Sequence, residues 1–213
     1  MGKLIPIIAI PANKGGQGKS SAARELAVQL AKAGWKVLIG DLNLTQPTAA
    51  NWVRARKAAG LPGVIDCQSN DHIPRLVQVA EASYNVLILD CPPGGGPLVN
   101  RAIKEATAIV LSTGTSSDDL EPTVALYENL VDKGRDPKSI VTVIQRAQTT
   151  AQYYLAKRYL SPCKPIDGCI LAGAGYIAAL DAGKGLSETA HASRNKQAAK
   201  VFGRVIDAIL AAP

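Results

Sequence analysis

The chain has 213 residues, enough to bury a sizeable core, and its 47% hydrophobic and 19% charged residues are the balance of a soluble globular protein. A net charge of +7 suits a polyanionic partner such as DNA or an acidic membrane surface, and plain solubility accounts for it equally well. Aromatic residues at 4% argue against a base-stacking platform, and no apolar run reaches the roughly 18 residues of a membrane span.

Short apolar runs alternate with helix-period runs. Strands are expected at 4–12, 36–42, 63–67, 85–90, 108–113 and 139–145, and helices at 20–33, 48–59, 73–82, 97–105 and 120–133. Past Thr149 the pattern is helical throughout, at 151–160, 176–182 and 193–212. This alternation predicts an α/β fold, a mostly parallel twisted sheet flanked by helices on both faces, with right-handed crossovers. No linker divides the chain, so one domain over 1–213 is expected. The first apolar run leads straight into a glycine-rich turn, which makes it a buried strand and not a signal peptide. Cys67, Cys91, Cys163 and Cys169 show neither a C-x-x-C pair nor zinc spacing, as in a reduced cytosolic chain.

The turn is Lys14-Gly15-Gly16-Gln17-Gly18-Lys19-Ser20-Ser21. A strand, a glycine-rich turn and a helix start in that order form a phosphate-binding loop. Glycines let the backbone approach phosphate oxygens, and their N–H groups converge on one anion. Lys19 can reach the β- and γ-phosphates of ATP, and the Ser20 hydroxyl is placed to ligate Mg²⁺. Asn13 stands where the general pattern has its first glycine, and with Lys14 this gives the variant K-G-G-x-G-K-[ST].

Ligands of such sheets bind beyond the carboxyl ends of the strands. The second strand ends in Asp41 and Asn43. Asp41 could hold Mg²⁺ through water, orient the attacking water or cap the strand end, whereas the Asn43 amide cannot take a proton. Asp90 closes a run of branched aliphatics in the Walker-B form, near the Mg²⁺ sphere. The Cys91–Pro97 loop that follows could report the γ-phosphate or simply turn the chain. Gln145-Arg146 could lie beside the base or ribose, or Arg146 could be a surface residue. On the last helix Lys196, Lys200 and Arg204 are four apart and share a face, and Val201, Val205, Ile206, Ile209 and Leu210 supply the buried one. Such a stripe suits DNA phosphates read without base contacts, or else is solvated charge. Arg146, Lys157, Arg158 and Lys164 form a second basic group.

On these residues the chain resembles the ParA/MinD group of deviant Walker-A ATPases, most of all the small ParA partition proteins, over nearly its whole length. Lys14 to Ser20 matches the family loop. Val37 to Asp41, with Gln46 and Trp52, resembles its second-strand motif, and Leu89-Asp90-Cys91-Pro92-Pro93 its Walker-B and switch region. Asp119 resembles the acid of its fifth-strand loop. Tyr176, Ala179 and Gly183 to Glu188 resemble its late segment. The resemblance implies a nucleoid-associated cytoplasmic ATPase that forms a homodimer around Mg-ATP. Lys14 then crosses to the partner's nucleotide, the dimer binds DNA non-specifically, and a ParB-like protein stimulates hydrolysis to move a plasmid or other cargo. Two departures matter. Asn43 replaces the second acid of the family's second-strand motif, with one residue inserted after it, and Ala12 replaces the asparagine ahead of the loop. Slow turnover, below about 1 s⁻¹, is therefore expected. Alternatives are an ATP-switched recruitment or scaffold factor, such as a conjugation accessory, and a MinD-like membrane-positioning ATPase. A small-molecule ligase on the same fold is disfavoured by Lys14.

Overall fold

The computed structural model describes residues 4–12 and 14–212; Asn13 lies outside them. Seven strands form one sheet in the order β3-β2-β4-β1-β5-β6-β7. They are β1 (Ile7–Ile10), β2 (Val37–Asp41), β3 (Ile65–Ser69), β4 (Val86–Asp90), β5 (Ala108–Thr113), β6 (Ile140–Ala147) and β7 (Cys169–Leu171), and every pairing is parallel. The helices are α1 (Lys19–Lys32), α2 (Thr48–Ala58), α3 (Ile73–Ser83), α4 (Pro97–Glu105), α5 (Ser117–Asp132), α6 (Thr150–Tyr159), α7 (Ala174–Asp181) and α8 (Ala192–Leu210).

Three expectations need correction. The first strand is shorter than 4–12, and Leu4 is 97% exposed. The third lies at Ile65–Ser69 rather than 63–67, because Gly63 and Val64 still belong to the incoming turn. A seventh strand, β7, interrupts the tail that reads as helical. It is three residues long, too short for a period-2 signal.

Every residue of β1, β2, β4 and β5 is buried, so these central strands read as unbroken aliphatic runs. Alternate side chains enter separate cores. Ile8, Ile10, Ile39 and Ile88 pack with Leu26 of α1, Trp52 of α2 and Phe202 of α8. Ile7, Ala9, Leu38 and Leu87 face the other way, against Leu76 of α3 and Ala102 of α4. Farther along that second face, Ile109 and Ile144 meet Tyr127 of α5 and Tyr153 of α6. α8 buries Val201, Phe202, Val205 and Ile209; Leu210, expected with them, is 49% exposed. Among the described residues no helix is long and apolar enough to cross a membrane.

The segment after α7 is fastened to α1 and α2 by buried polar groups. The Arg56 guanidinium donates to both carboxylate oxygens of Glu188, at 2.7 and 3.2 Å, and to the Gly183 and Pro62 carbonyls. It also lies over the Trp52 ring, whose Nε1 donates to the Lys184 carbonyl. Glu25, fully buried on α1, accepts the Ser187 N–H and the Gln29 amide, and burial pushes its carboxyl pKa up. Removing one partner of a buried charge pair leaves the other uncompensated. Arg56→Ala should therefore lower the unfolding free energy by about 3 kcal/mol, read from urea denaturation.

Candidate functional site

α1 starts without a side-chain cap. Its first N–H groups, with those of the glycine loop before it, are the donors an anion would use. The loop holds that shape by its carbonyls. Lys19 Nζ donates to the Lys14 carbonyl at 3.3 Å, and an Arg146 Nη1 donates to that of Gly16. The Ser112 hydroxyl donates to the Gln17 carbonyl at 2.6 Å, and the Gln145 amide to that of Gly18 at 3.1 Å. Gly16 and Gly18 have φ of 82° and 84°, the left-handed region where a side chain is strained. A Cβ on Gly18 would also lie 2.9 Å from the Gln145 Nε2, so the support needs glycine there.

The predicted loop residues divide by where their side chains go. Lys19 is buried, and burial lowers its pKa against the attraction of Asp90 and Cys91. The Gln17 side chain turns inward and donates to the Asp119 carbonyl at 3.2 Å, so what Gln17 offers a ligand is its backbone. Lys14 sits at the rim, its side chain 42% exposed, in an ion pair of 3.2 Å with Asp119. Among the described residues nothing lies within 4 Å of where a Cβ on Gly15 would be.

Asp41 and Asp90 are direct register partners on β2 and β4, both buried. Asp41 Oδ2 accepts the Ala49 and Ala50 N–H groups of the first turn of α2, and Oδ1 accepts that of Asn43. The capping role that the sequence leaves open for Asp41 is thus real, and a carboxylate with four lone-pair sites has capacity left for water. Asn43 is half-buried, and its amide oxygen accepts the Thr45 hydroxyl at 2.9 Å.

Asp90 accepts a hydrogen bond from the Ser20 side chain, while its Oδ1 is buried with no partner among the described residues. Burial pushes its pKa up to about 6; the nearby Asp41 charge adds to this, and Ser20, Arg24 and Lys19 oppose it. An orphaned carboxylate oxygen beside a hydroxyl fits a hard, oxygen-seeking cation. Among the described residues no group of three or more His, Cys, Asp or Glu could chelate a metal. Mg²⁺ here would rest on Ser20, Asp90 and phosphate oxygens.

From the loop a cleft of about 710 Å³ runs toward β7 and α7. Lys19, Ser20, Ser21 and Arg146 line one part; Ile170, Tyr176 and Leu186 line another. Ile177 also borders it and is 65% exposed. One part is cationic and polar and the other apolar, which fits a nucleotide. Arg146 leaves the second basic group and lies over the loop. It has φ of 60°, at a bulge where Gln145 and Ala147 pair with consecutive residues of β7.

Lys196, Lys200 and Arg204 are all exposed on α8, as the spacing predicts, and Arg204 also donates to the Asp167 carbonyl at 2.7 Å. Several residues of the site carry no motif. Ser112 and Gln145 support the loop from β5 and β6. Arg24 of α1 acts on Asp90 and Asp41 by charge, with its Nε buried and unpartnered among the described residues. No sequence signal marks Ser112; Gln145 is noticed only for its place beside Arg146.

Residues 8–210 match the CobQ/CobB/MinD/ParA nucleotide binding domain family. No curated protein matches the chain in sequence. Among solved structures, the septum site-determining protein MinD complexed with Mg-ADP, from Pyrococcus horikoshii, is similar with a TM-score of 0.76, at 18% identity over 98% of each chain. A Cyanothece McdA variant in complex with ATP is similar with a TM-score of 0.66, at 17% identity over 97% of this chain and 98% of that one. A plasmid partition protein of Borrelia burgdorferi bound to AMPPNP gives 0.68, at 16% identity over 98% and 99%. At such identities the likeness speaks to the fold.

The raised pKa of Asp90 has a signed consequence. Between the ordinary value of 3.8 and about 6 the folded chain keeps a proton that the unfolded chain has lost. The associated stability is full below the lower value and lost as pH rises through the upper one. Asp90→Asn should stabilise the nucleotide-free chain by about 3 kcal/mol at high pH and by little near the lower limit, read from urea denaturation at both. An equal gain at both would reject the burial account.

Proposed function

The chain belongs to the CobQ/CobB/MinD/ParA nucleotide-binding family, and from that membership we propose an ATP-driven dimerisation switch of ParA type that binds DNA without reading sequence. The members of the ParA/MinD branch are nucleotide-binding ATPases of positioning and partition. The observation that carries the reading is Lys14 at the loop's outer rim, its side chain tied to Asp119 alone among the described residues. A half-exposed cation there can pass to the triphosphate of a second copy, where it stabilises both the pairing and the charge that develops on hydrolysis.

Lys19 and the loop N–H groups hold the triphosphate, and Lys14 of the second copy completes the site. Mg²⁺ on Ser20 and Asp90 would neutralise charge on the β- and γ-phosphates. Asp41 orients the attacking water with its remaining lone pairs, and Asn43, which cannot be a base, contributes to its positioning. Because Asp41 also holds the first turn of α2, the water site and that helix move together. The apolar part of the cleft takes the base, with Arg146 beside it. Lys196, Lys200 and Arg204 meet DNA phosphates. A ParB-like protein stimulates the cycle, and the whole chain acts as one domain on the nucleoid.

Lys14→Ala should retain nucleotide binding and lose the ATP-dependent dimer in size-exclusion chromatography; a variant that dimerises normally ends the role in trans. DNA binding should appear with ATP and not with ADP, and fall steeply with salt. Replacing Lys196, Lys200 and Arg204 by alanine should lower the slope of log affinity against log salt by about 3, at roughly 0.9 per phosphate contact.

Asn43 favours a second reading, a recruitment or scaffold factor in which ATP is a conformational ligand and hydrolysis is weak. The two separate on what releases DNA. Phosphate production drives release in the first, and exchange of ATP for ADP suffices in the second.

A further inference from the structure

α6 turns Tyr153 and Ala156 into the core and leaves its outward side uncovered. That side carries Tyr154, Leu155 and Tyr159, which are 63, 69 and 48% exposed. Leu155 and Tyr159 are four apart and lie one above the other. The Tyr154 ring leans on that of Tyr153, with centroids 5.1 Å apart, which fixes its direction. Single exposed apolar residues need no explanation, but three within six positions of one helix do.

The stretch of chain that carries this face is basic. From residue 137 to 166 the chain has five lysines and arginines, Lys138, Arg146, Lys157, Arg158 and Lys164, of which Arg146 lies over the glycine loop, and no aspartate or glutamate. Asp167, the next acid, is in an ion pair with Lys157, and its backbone carbonyl takes the Arg204 guanidinium. Arg158 and Lys164 are exposed and make no ion pair among the described residues.

We propose that the outward face of α6 docks an acidic amphipathic helix of a partner protein. Tyrosine and arginine are enriched among the side chains that anchor protein interfaces, and a tyrosine ring buries area at little entropic cost. The partner's apolar positions at i, i+3, i+4 and i+7 cover Leu155 and the two rings, and its flanking carboxylates face Arg158 and Lys164. A lipid surface suits the face less well. Helices that lie in a bilayer interface bury a long apolar side, and α6 offers three side chains over about a turn and a half. Duplex DNA would meet the cations but leave the rings in water. The proposal does not depend on the nucleotide reading.

The test uses a fluorescein-labelled synthetic helix of about 18 residues, with leucine at i, i+3, i+4 and i+7 and glutamate on its flanks. Its twin carries lysine for glutamate, and phosphatidylserine–phosphatidylcholine vesicles at about 1:3 supply the lipid arm. Fluorescence anisotropy should show saturable, salt-weakened binding of the acidic helix and none of the basic twin. The triple variant Tyr154→Ser, Leu155→Ser, Tyr159→Ser should weaken it at least about tenfold, with circular dichroism unchanged. Should that variant not fold, Arg158→Glu with Lys164→Glu decides: it should lose the acidic helix and gain the basic one. Equal binding of the two helices, binding indifferent to these substitutions, or no saturable binding of the acidic helix overturns the proposal. Vesicle binding that depends on the three apolar residues, without peptide binding, assigns the face to lipid instead.

Discussion

A loop that aims its N–H groups at an anion must find donors for the carbonyls it has turned away. Four side chains meet that constraint here: Lys19 for the Lys14 carbonyl, Arg146 for Gly16, Ser112 for Gln17 and Gln145 for Gly18. They come from α1, β6, β5 and β6, so three of the four brace the loop from outside it. The network continues through Gln17 to the Asp119 carbonyl, and through the Asp119 carboxylate to Lys14. The cation at the rim and the floor under the loop thus belong to one set of contacts. A shift at either end is felt at the other.

The second constraint is electrostatic. Register sets Asp41 directly beside Asp90 in a buried edge of the sheet, where like charges oppose one another. The chain relieves Asp41 with three backbone N–H groups and leaves Asp90 short of partners. The neighbours have different environments and hence different availability. One is tied to the start of α2, and the other keeps an oxygen free in a place that favours a cation. Lys19 and Arg24 supply partial compensation from α1.

Much of this was legible from residue order because its signals are local. The first strand, its glycine turn and the helix after it occupy neighbouring residues, and a run of aliphatics ending in Asp90 announces its own burial. The expected strand at 108–113 is found at just those positions. What escaped is held together over long stretches of chain. Ser112 and Gln17 are 95 residues apart, and Arg56 and Glu188 are 132 apart. No spacing rule links such pairs, and each member looks ordinary where it stands. β7 escaped for another reason: three residues that pair only with β6 take their extended form from the sheet rather than from their own pattern. The role of Asp41 was half visible. Its place at a strand end could be read, but not its grip on a helix that begins seven residues later.

The order of the strands also bears on how the chain comes into being. The glycine turn is synthesised within the first twenty residues, yet Ser112 and Gln145 follow far behind it, and Ile170, Tyr176 and Leu186 later still. Until residue 145 has been made the turn lacks part of its floor, and until residue 186 the cleft lacks part of its apolar lining. The turn is thus made first, and the residues that brace it and line its cleft come from across the rest of the chain, so its final shape waits on nearly complete synthesis.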